Sequence, residues 1–402
     1  MITEAGRVHL RWALTDGVGP LTFSRLIEHF GDAAAALGAP ASALQAVKGI
    51  GRERADSILR GPSPELIERE IDSAAEHGVR IVCRADPDYP EGLRRIPDPP
   101  TVLYIKGELR PTDAIAVAIV GSRRCSLYGG EQARRFGELL AGVGVTVVSG
   151  LARGIDAFAQ HGAVDAGGRS IAVMGAGLRD VYPPENRALA EKILTSGAWV
   201  SELPMLAAVR AENFPARNRI IAGMTLGTLV VEAAARSGAL ITARLAAEYN
   251  REVFAVPGRV QDPTSIGTNA LIRDGGAKLV TCLEDVLAEL GEVGPALTRG
   301  HAATSPLDAE RATGSGGAGT PKPAACAPLF QACDAGTQAP PAPLSDVEQC
   351  VYGLTGSEPI LQDVILRAAG APVGDVLAAI TALELKGLLR RVPGNLLVRR
   401  GK

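Results

Sequence analysis

The sequence predicts an α/β fold built around a doubly wound, mostly parallel sheet. Three observations carry that expectation. Apolar runs recur from Ala114 onward: AIAVAIV (Ala114–Val120), VTVVSG (Val145–Gly150), RSIAVMG (Arg169–Gly175), WVSELP (Trp199–Pro204), TLVVEA (Thr228–Ala233), EVFAVPG (Glu252–Gly258) and AKLV (Ala277–Val280). These runs are continuous rather than alternating, as strands buried on both faces must be. Helical patterns such as Gly130–Ala141 separate them, which is the alternation of a layered parallel sheet. Most runs also end in small residues, at the sheet edge where such folds bind ligands.

At 402 residues the chain is long enough for two or three domains. Residues 1–80 read as a helical domain with two related turns, GVGPLTFSRLIEHFG (Gly17–Gly31) and VKGIGRERADSIL (Val47–Leu59). Each places a Gly-apolar-Gly turn before an amphipathic helix, like a helix-hairpin-helix (SAM-like) element, with Ala55 and Ile58 on the apolar face. Such turns either hold a DNA phosphate at a helix N-terminus or serve only as packing hairpins. Residues 81–290 carry the sheet. From residue 291 to 343 Ala, Gly, Pro, Ser and Thr dominate without periodicity, which predicts a flexible linker. Residues 344–402 form a further ordered segment.

The net charge of −2 gives no global attraction to nucleic acid, so any anion-binding face must arise from local arrangement. The six cysteines form no CxxC pair, which argues against structural zinc and a disulfide framework and suits a reducing cytoplasm. No apolar signal core or membrane-length run occurs, so a cytoplasmic protein without a membrane contact is expected. No cofactor is expected either. The first strand ends in GSRRCS and the second in Ser-Gly, so the dinucleotide fingerprint is absent, and no GxxxxGK[ST] phosphate loop occurs.

The strand ends hold Gly121-Ser122-Arg123, Ser149-Gly150-Leu151-Ala152, Gly175-Ala176-Gly177, Glu202, Glu232 and Pro257-Gly258. Small residues let backbone amides approach an anion, and Arg123 adds a planar fork suited to phosphate. The segment ENFPARNRIIAGM sets Phe214 beside Arg217, Asn218 and Arg219, ahead of a helix. An aromatic ring among arginines fits single-stranded nucleic acid. The alternative reading makes Phe214 a core residue, with the arginines paired to Glu212 and Glu232.

Taken in order, DPDYPEGLRRIPDPPTVLYIKGEL, AIVGSRRCSLYGG, VVSGLARGID, AVMGAGLRDVYPPENRAL, SELP, NFPARNRIIAGM, VVEAAARSGALITA, VFAVPG and GTNALIRDGGAKLV resemble the DprA/Smf family of DNA-processing proteins. The resemblance spans about Tyr89 to Leu290. It implies a Rossmann-like domain that binds single-stranded DNA without sequence preference. It also implies protection of incoming DNA in natural transformation, loading of a RecA-type recombinase, a homodimer and no catalytic reaction. By the same resemblance Gly121, Ser122 and Arg123 form the phosphate-binding turn, and Ser149 and Gly150 line the same pocket. Phe214, Arg217, Asn218 and Arg219 fall on the FPxRNR block, and Ser237, Gly238 and Thr242 on an anion-contacting SGxxxTA turn.

One departure falls in VVSGLARGIDAFAQHGAV (Val147–Val164). Gln160 stands where the family pattern has histidine, and His161 comes one place, about 100° of helix, later. A residue needed for proton transfer would not tolerate that change, whereas a packing or polar contact would. Asp156 reads as a helix-start residue.

From Ser345 the tail reads as three helices with Val376, Ile380 and Leu383 on one face. A short hairpin around Pro393-Gly394 follows, with Arg390, Arg391, Arg399 and Arg400. It resembles the winged helix of some family members. Its recognition segment, VGDVLAAITALEL, has few base-reading side chains, which favours a protein-interaction or modulatory role over duplex DNA. The rival functional class is an enzyme. LGTLVVEAAARSGALITA resembles in part the GTxxE element of LOG-type nucleotide phosphoribohydrolases, with Arg219 and Glu232 cast as the catalytic pair. The full glycine-rich motif is missing.

Overall fold

The computed structural model describes residues 2–291, Leu297 and, with short gaps, residues 344–399. The chain divides into two compact units, Met1–Ala327 and Pro328–Lys402. The expected linker falls almost wholly outside the described residues.

The first unit opens with α1 (Glu4–Ala13), α2 (Pro20–Phe30), α3 (Ala33–Leu37), α4 (Ala41–Gln45), α5 (Arg52–Arg60) and α6 (Pro64–Glu76). The two Gly-apolar-Gly turns have one geometry. Gly17 and Gly49 take positive φ, +80° and +91°, while Gly19 and Gly51 are extended N-caps of α2 and α5. The apolar residue of each turn, Val18 and Ile50, joins Trp12, Phe23, Leu26, Ala55 and Ile58 in one core. Trp12 satisfies its indole by donating to the Ala33 carbonyl at 3.0 Å. Each such large apolar side chain contributes about 1.5–3 kcal/mol by leaving water.

The sheet follows. Its strands are β1 (Val79–Cys83), β2 (Val102–Gly107), β3 (Ala116–Val120), β4 (Thr146–Ser149), β5 (Ser170–Val173), β6 (Ala198–Ser201), β7 (Gly227–Val230), β8 (Glu252–Ala255) and β9 (Lys278–Leu279). Between them lie α7 (Glu91–Arg94), α8 (Leu127–Gly142), α9 (Ile155–Asp165), α10 (Arg187–Leu194), α11 (Asn213–Gly223), α12 (Gly238–Glu248) and α13 (Ile266–Arg273). Helix α14 (Leu283–Leu287) follows β9. The spatial order is β1-β2-β6-β5-β4-β3-β7-β8-β9. Pairing from β6 to β9 is parallel, and β1 and β2 extend that edge antiparallel.

This is the doubly wound arrangement expected from the apolar runs. Ala116, Ala118 and Val120 of β3 face one core with Ile220 and Ala243, and Val117 and Ile119 face the other with Phe136 and Ala159. Successive residues of a strand point to opposite faces, so both faces need apolar side chains and no polar alternation survives. The added strands β1 and β2 are covered by α1 and α6 through Leu10, Ala74, Ile81 and Tyr104. The strand order reverses at β3, whose neighbours are β4 and β7, and the crevice opens there.

The second unit contains α15 (Asp346–Leu354), β10 (Ile360–Leu361), α16 (Gln362–Ala368), β11 (Leu389–Val392) and β12 (Leu396–Arg399), with strand order β10-β12-β11. Val376, Ile380 and Leu383 are buried together with Val351, Ile365 and Leu397, as their spacing predicted. Arg390 and Arg391 lie on β11 and Arg399 on β12. The guanidinium of Arg399 covers the Tyr352 ring at 3.9 Å and donates to the Tyr352 carbonyl, so this arginine is held within its own unit. Pro393, Gly394 and Arg400 lie outside the described residues.

Candidate nucleic-acid interface

A groove of about 570 Å³ opens at the carboxyl ends of β3 and β4. Gly121, Arg123, Phe214, Asn218, Gly238 and Thr242 all line it. Three segments far apart in the chain thus meet where the strand order reverses.

The loop after β3 is pinned from two sides. Ser122 donates its amide to the Glu232 carbonyl at 2.7 Å and accepts the Ile155 amide at 3.2 Å. Gly154, the residue before α9, has φ +73°, and a Cβ there would lie 2.3 Å from the Ser122 carbonyl oxygen. Only glycine lets these two turns touch. Arg123 leaves the pinned loop into solvent, with its guanidinium 4.7 Å from the centroid of the Phe214 ring. Among the described residues it forms no ion pair.

The second turn is built differently from the expected open cradle. Ser149 is wholly buried and donates to the Ile119 carbonyl at 2.6 Å, so it does not reach the groove. The amides of Gly150 and Ala152 donate to one carboxylate oxygen of Asp156, at 3.0 and 3.4 Å. The Leu151 amide donates to Gln160 Oε1 at 3.1 Å. The protein's own side chains therefore occupy the amides expected to meet phosphate. Gln160, buried, also donates from Nε2 to Ser170 Oγ at 3.0 Å and to the Ile171 carbonyl at 3.2 Å. It is a structural tie, and an amide serves there where the family pattern has an imidazole.

The arginines of the FPxRNR block separate. The block lies within α11, not ahead of it, because the helix already starts at Asn213. Arg217 is buried under the second turn, donating to the Gly150 carbonyl at 2.8 Å and to the Val173 carbonyl. A Cβ at residue 150 would meet its guanidinium at 2.4 Å, so a side chain there would displace Arg217. Burial pulls the Arg217 guanidinium down to about 10, with Asp156 opposing and Arg123 adding to the shift, so it stays charged at neutral pH. Burial raises the Asp156 carboxyl, and Arg217 and the turn amides counter it.

Arg219 points away from the groove. It pairs with Glu202 and, at 3.4 Å, with Asp98, in a cleft lined by the α2 turn. Glu212 and Glu232, the partners of the alternative reading, do not pair with it among the described residues. Burial raises the Glu202 carboxyl, and Arg219 opposes that shift. Glu232 is buried and accepts from the Ser126 amide at 2.7 Å, Ser126 Oγ at 2.6 Å and Thr264 Oγ1 at 3.0 Å. It ties three loops together and, among the described residues, forms no ion pair with an arginine. Arg219 and Glu232 occupy different sites, so the pair that a phosphoribohydrolase would need is not assembled.

On the far wall, Ser237 caps α12 by accepting the Ala239 amide at 3.3 Å, and Asn218 donates to the Gly238 carbonyl at 3.4 Å. The positive end of the α12 dipole faces the groove here. Tyr182 was not singled out from the sequence. It is exposed, lines the groove, and lies 5.9 Å from the Phe214 ring. The available signal was an aromatic in the long loop after the Gly175-Ala176-Gly177 turn, in RDVYPPENRAL. Arg123, Phe214 and Tyr182 together place a cation and two ring faces around one open space.

Comparison with known proteins supports the same assignment across the chain. The family model described as DNA recombination-mediator protein A matches residues 80–291, a DprA-like N-terminal HHH domain model residues 4–73, and a DprA winged helix domain model residues 335–395. The chain is 35% identical to Protein Smf of Synechocystis over 96% of both chains. It is 40% identical to Protein Smf of Escherichia coli, over 76% of this chain and 74% of that one. A solved structure of DNA processing protein A from Streptococcus pneumoniae covers 72% of this chain and 99% of its own, at 32% identity and a TM-score of 0.62. The chain belongs to the DprA/Smf family of DNA-processing proteins.

Proposed function

We propose that the groove holds single-stranded DNA without sequence preference, and that no reaction takes place there. The observation that carries this reading is the uncommitted guanidinium of Arg123 lying over Phe214, with Tyr182 alongside. Base–aromatic stacking contributes about 1–3 kcal/mol per base and every base has a π-face, so two rings give affinity without sequence choice. The phosphate between two stacked bases then meets Arg123, the Gly121-Ser122 turn and the N-terminus of α12. Ser149, Gly150 and Arg217 support the groove walls, and Arg219 pairs in a separate cleft.

Family membership supports the larger role: protection of incoming DNA during natural transformation and loading of a RecA-type recombinase, by a homodimer. The test is a titration of the full chain with single- and double-stranded oligonucleotides of equal length. Tighter binding of the single strand, weakening with salt, is the expected result. Equal affinity for duplex, or release of free base from a nucleoside monophosphate, would overturn it.

A further inference from the structure

We propose that Glu70, on α6 of the helical domain, is a positioning residue for the groove: it fixes the junction from which the Phe214 and Tyr182 rings are carried. This rests on the groove being a single-strand site and names what sets its ring spacing. Glu70 is only 7% exposed, yet among the described residues it forms no ion pair. The buried acids Glu202 and Asp113 each have an arginine, Arg219 and Arg169. A charge taken out of water without a counterion costs free energy, so a carboxylate here is a poor choice for packing alone.

The Glu70 carboxylate accepts the Met205 amide at 2.5 Å, 135 residues along the chain. Burial and then Glu70 raise the hydroxyl of Tyr104 on β2, which shares a core with Met205. Met205 is the one buried residue from 205 to 212, and Leu206 is 63% and Val209 42% exposed. This segment therefore has few apolar contacts of its own, and its place depends on how its first residue is held.

The held end is a junction of two loops. The Gly177 amide donates to the Ala207 carbonyl at 3.2 Å. A Cβ at residue 177 would lie 2.2 Å from the Met205 carbonyl oxygen and 2.3 Å from that of Pro204. One arm runs from there through Val209 and Ala211, which line the groove, to Phe214, whose amide donates to the Ala211 carbonyl at 3.4 Å. The other runs from Gly177 to Tyr182, also on the groove. Gly175, in the same turn, closes the frame, since a Cβ there would lie 2.9 Å from the Phe214 ring. The two rings, 5.9 Å apart, are thus carried by loops that meet where Glu70 binds. Stacking depends on where the ring faces stand, so the helical domain shapes the site through a residue outside the groove.

The experiment is a titration of the full chain with a thymidine 20-mer by fluorescence anisotropy. Glu70→Ala should weaken binding about 5-fold or more, the lower end for one lost base stack, and leave the salt slope unchanged. Glu70→Gln keeps an oxygen for the Met205 amide and should bind like the parent. Glu70→Asp, one methylene short, should weaken binding as Glu70→Ala does, and it takes that variant's place if Glu70→Ala does not fold. In a Phe214→Ala/Tyr182→Ala background Glu70→Ala should cost no more than about twofold further, because the rings it positions are gone; a purely structural loss would add in full. Parent-like affinity in Glu70→Ala or Glu70→Asp, an equal loss in Glu70→Gln, or full additivity with the ring substitutions overturns the positioning role and leaves the groove standing. Failure of the parent chain to bind the 20-mer overturns the groove itself.

Discussion

Replacing Arg123 by alanine isolates the phosphate contact from everything else in the groove. The side chain is exposed, pairs with no acid among the described residues, and touches Phe214 only through the face of its guanidinium. Its loss should leave the fold intact. A hydrogen bond from a charged donor contributes about 1.5–3 kcal/mol, so affinity for a single strand should fall on the order of 10- to 150-fold at fixed salt. The salt dependence is the sharper measure. One phosphate contact on a single strand changes the log–log slope by about 0.7. Between 50 and 200 mM salt, a fourfold change, the gap between parent and variant should therefore shrink by about 2.5-fold. Anisotropy titrations at several salt concentrations read both numbers. Arg123→Lys should keep the slope and lose part of the affinity, because it retains the charge without the planar fork. An Arg123→Ala chain with the parent's slope refutes the assignment.

The other perturbations separate groove walls from groove contents. Tyr182→Ala should weaken single-strand binding by about 1–3 kcal/mol with little change in salt slope, measured by the same titration. Arg217→Ala should cost about 1–3 kcal/mol of stability in urea unfolding, because it removes a charged donor to the Gly150 and Val173 carbonyls and the cation that opposes the burial of Asp156. Gln160→Leu should cost about 1–3 kcal/mol by orphaning the Leu151 amide. Gln160→His should bind DNA like the parent; a large gain in any activity on restoring the histidine would reopen the enzymatic reading.

Much of this was legible in the sequence because burial on two faces writes itself as uninterrupted apolar runs. Ala116–Val120 alternates between two cores, so no polar residue interrupts it. The strands β1 and β2 were not legible. VRIVC and VLYIKG are short and mixed, and their pairing depends on α1 and α6 covering one face. The site was legible as a location, since turns at adjacent strand ends must converge. Which groups face outward was not. Arg217, Asn218 and Arg219 are consecutive, and a helix turns about 100° per residue, so neighbours in sequence point to different surroundings. The sequence alone could not fix the phase of α11, which begins earlier than its pattern indicated.

The turn after β4 shows how a phosphate-like pattern can be satisfied from within. Ser149-Gly150-Leu151-Ala152 offers amides at a strand end, and an anion does bind them, but that anion is the Asp156 carboxylate, six residues along from Gly150. Arg217 then closes over the same turn from α11. A carboxylate fixed on its own helix has no translational entropy to lose, so a DNA phosphate would have to displace it at a large disadvantage. The amides of Gly150, Leu151 and Ala152 are therefore satisfied from within, and the turn links α9 to α11. That link matters because Gly154, at the start of α9, touches the backbone of Arg123, and Phe214, at the start of α11, lies beneath its guanidinium. The buried Asp156–Arg217 arrangement thus sets the spacing between the cation and the ring that the groove presents to a nucleotide.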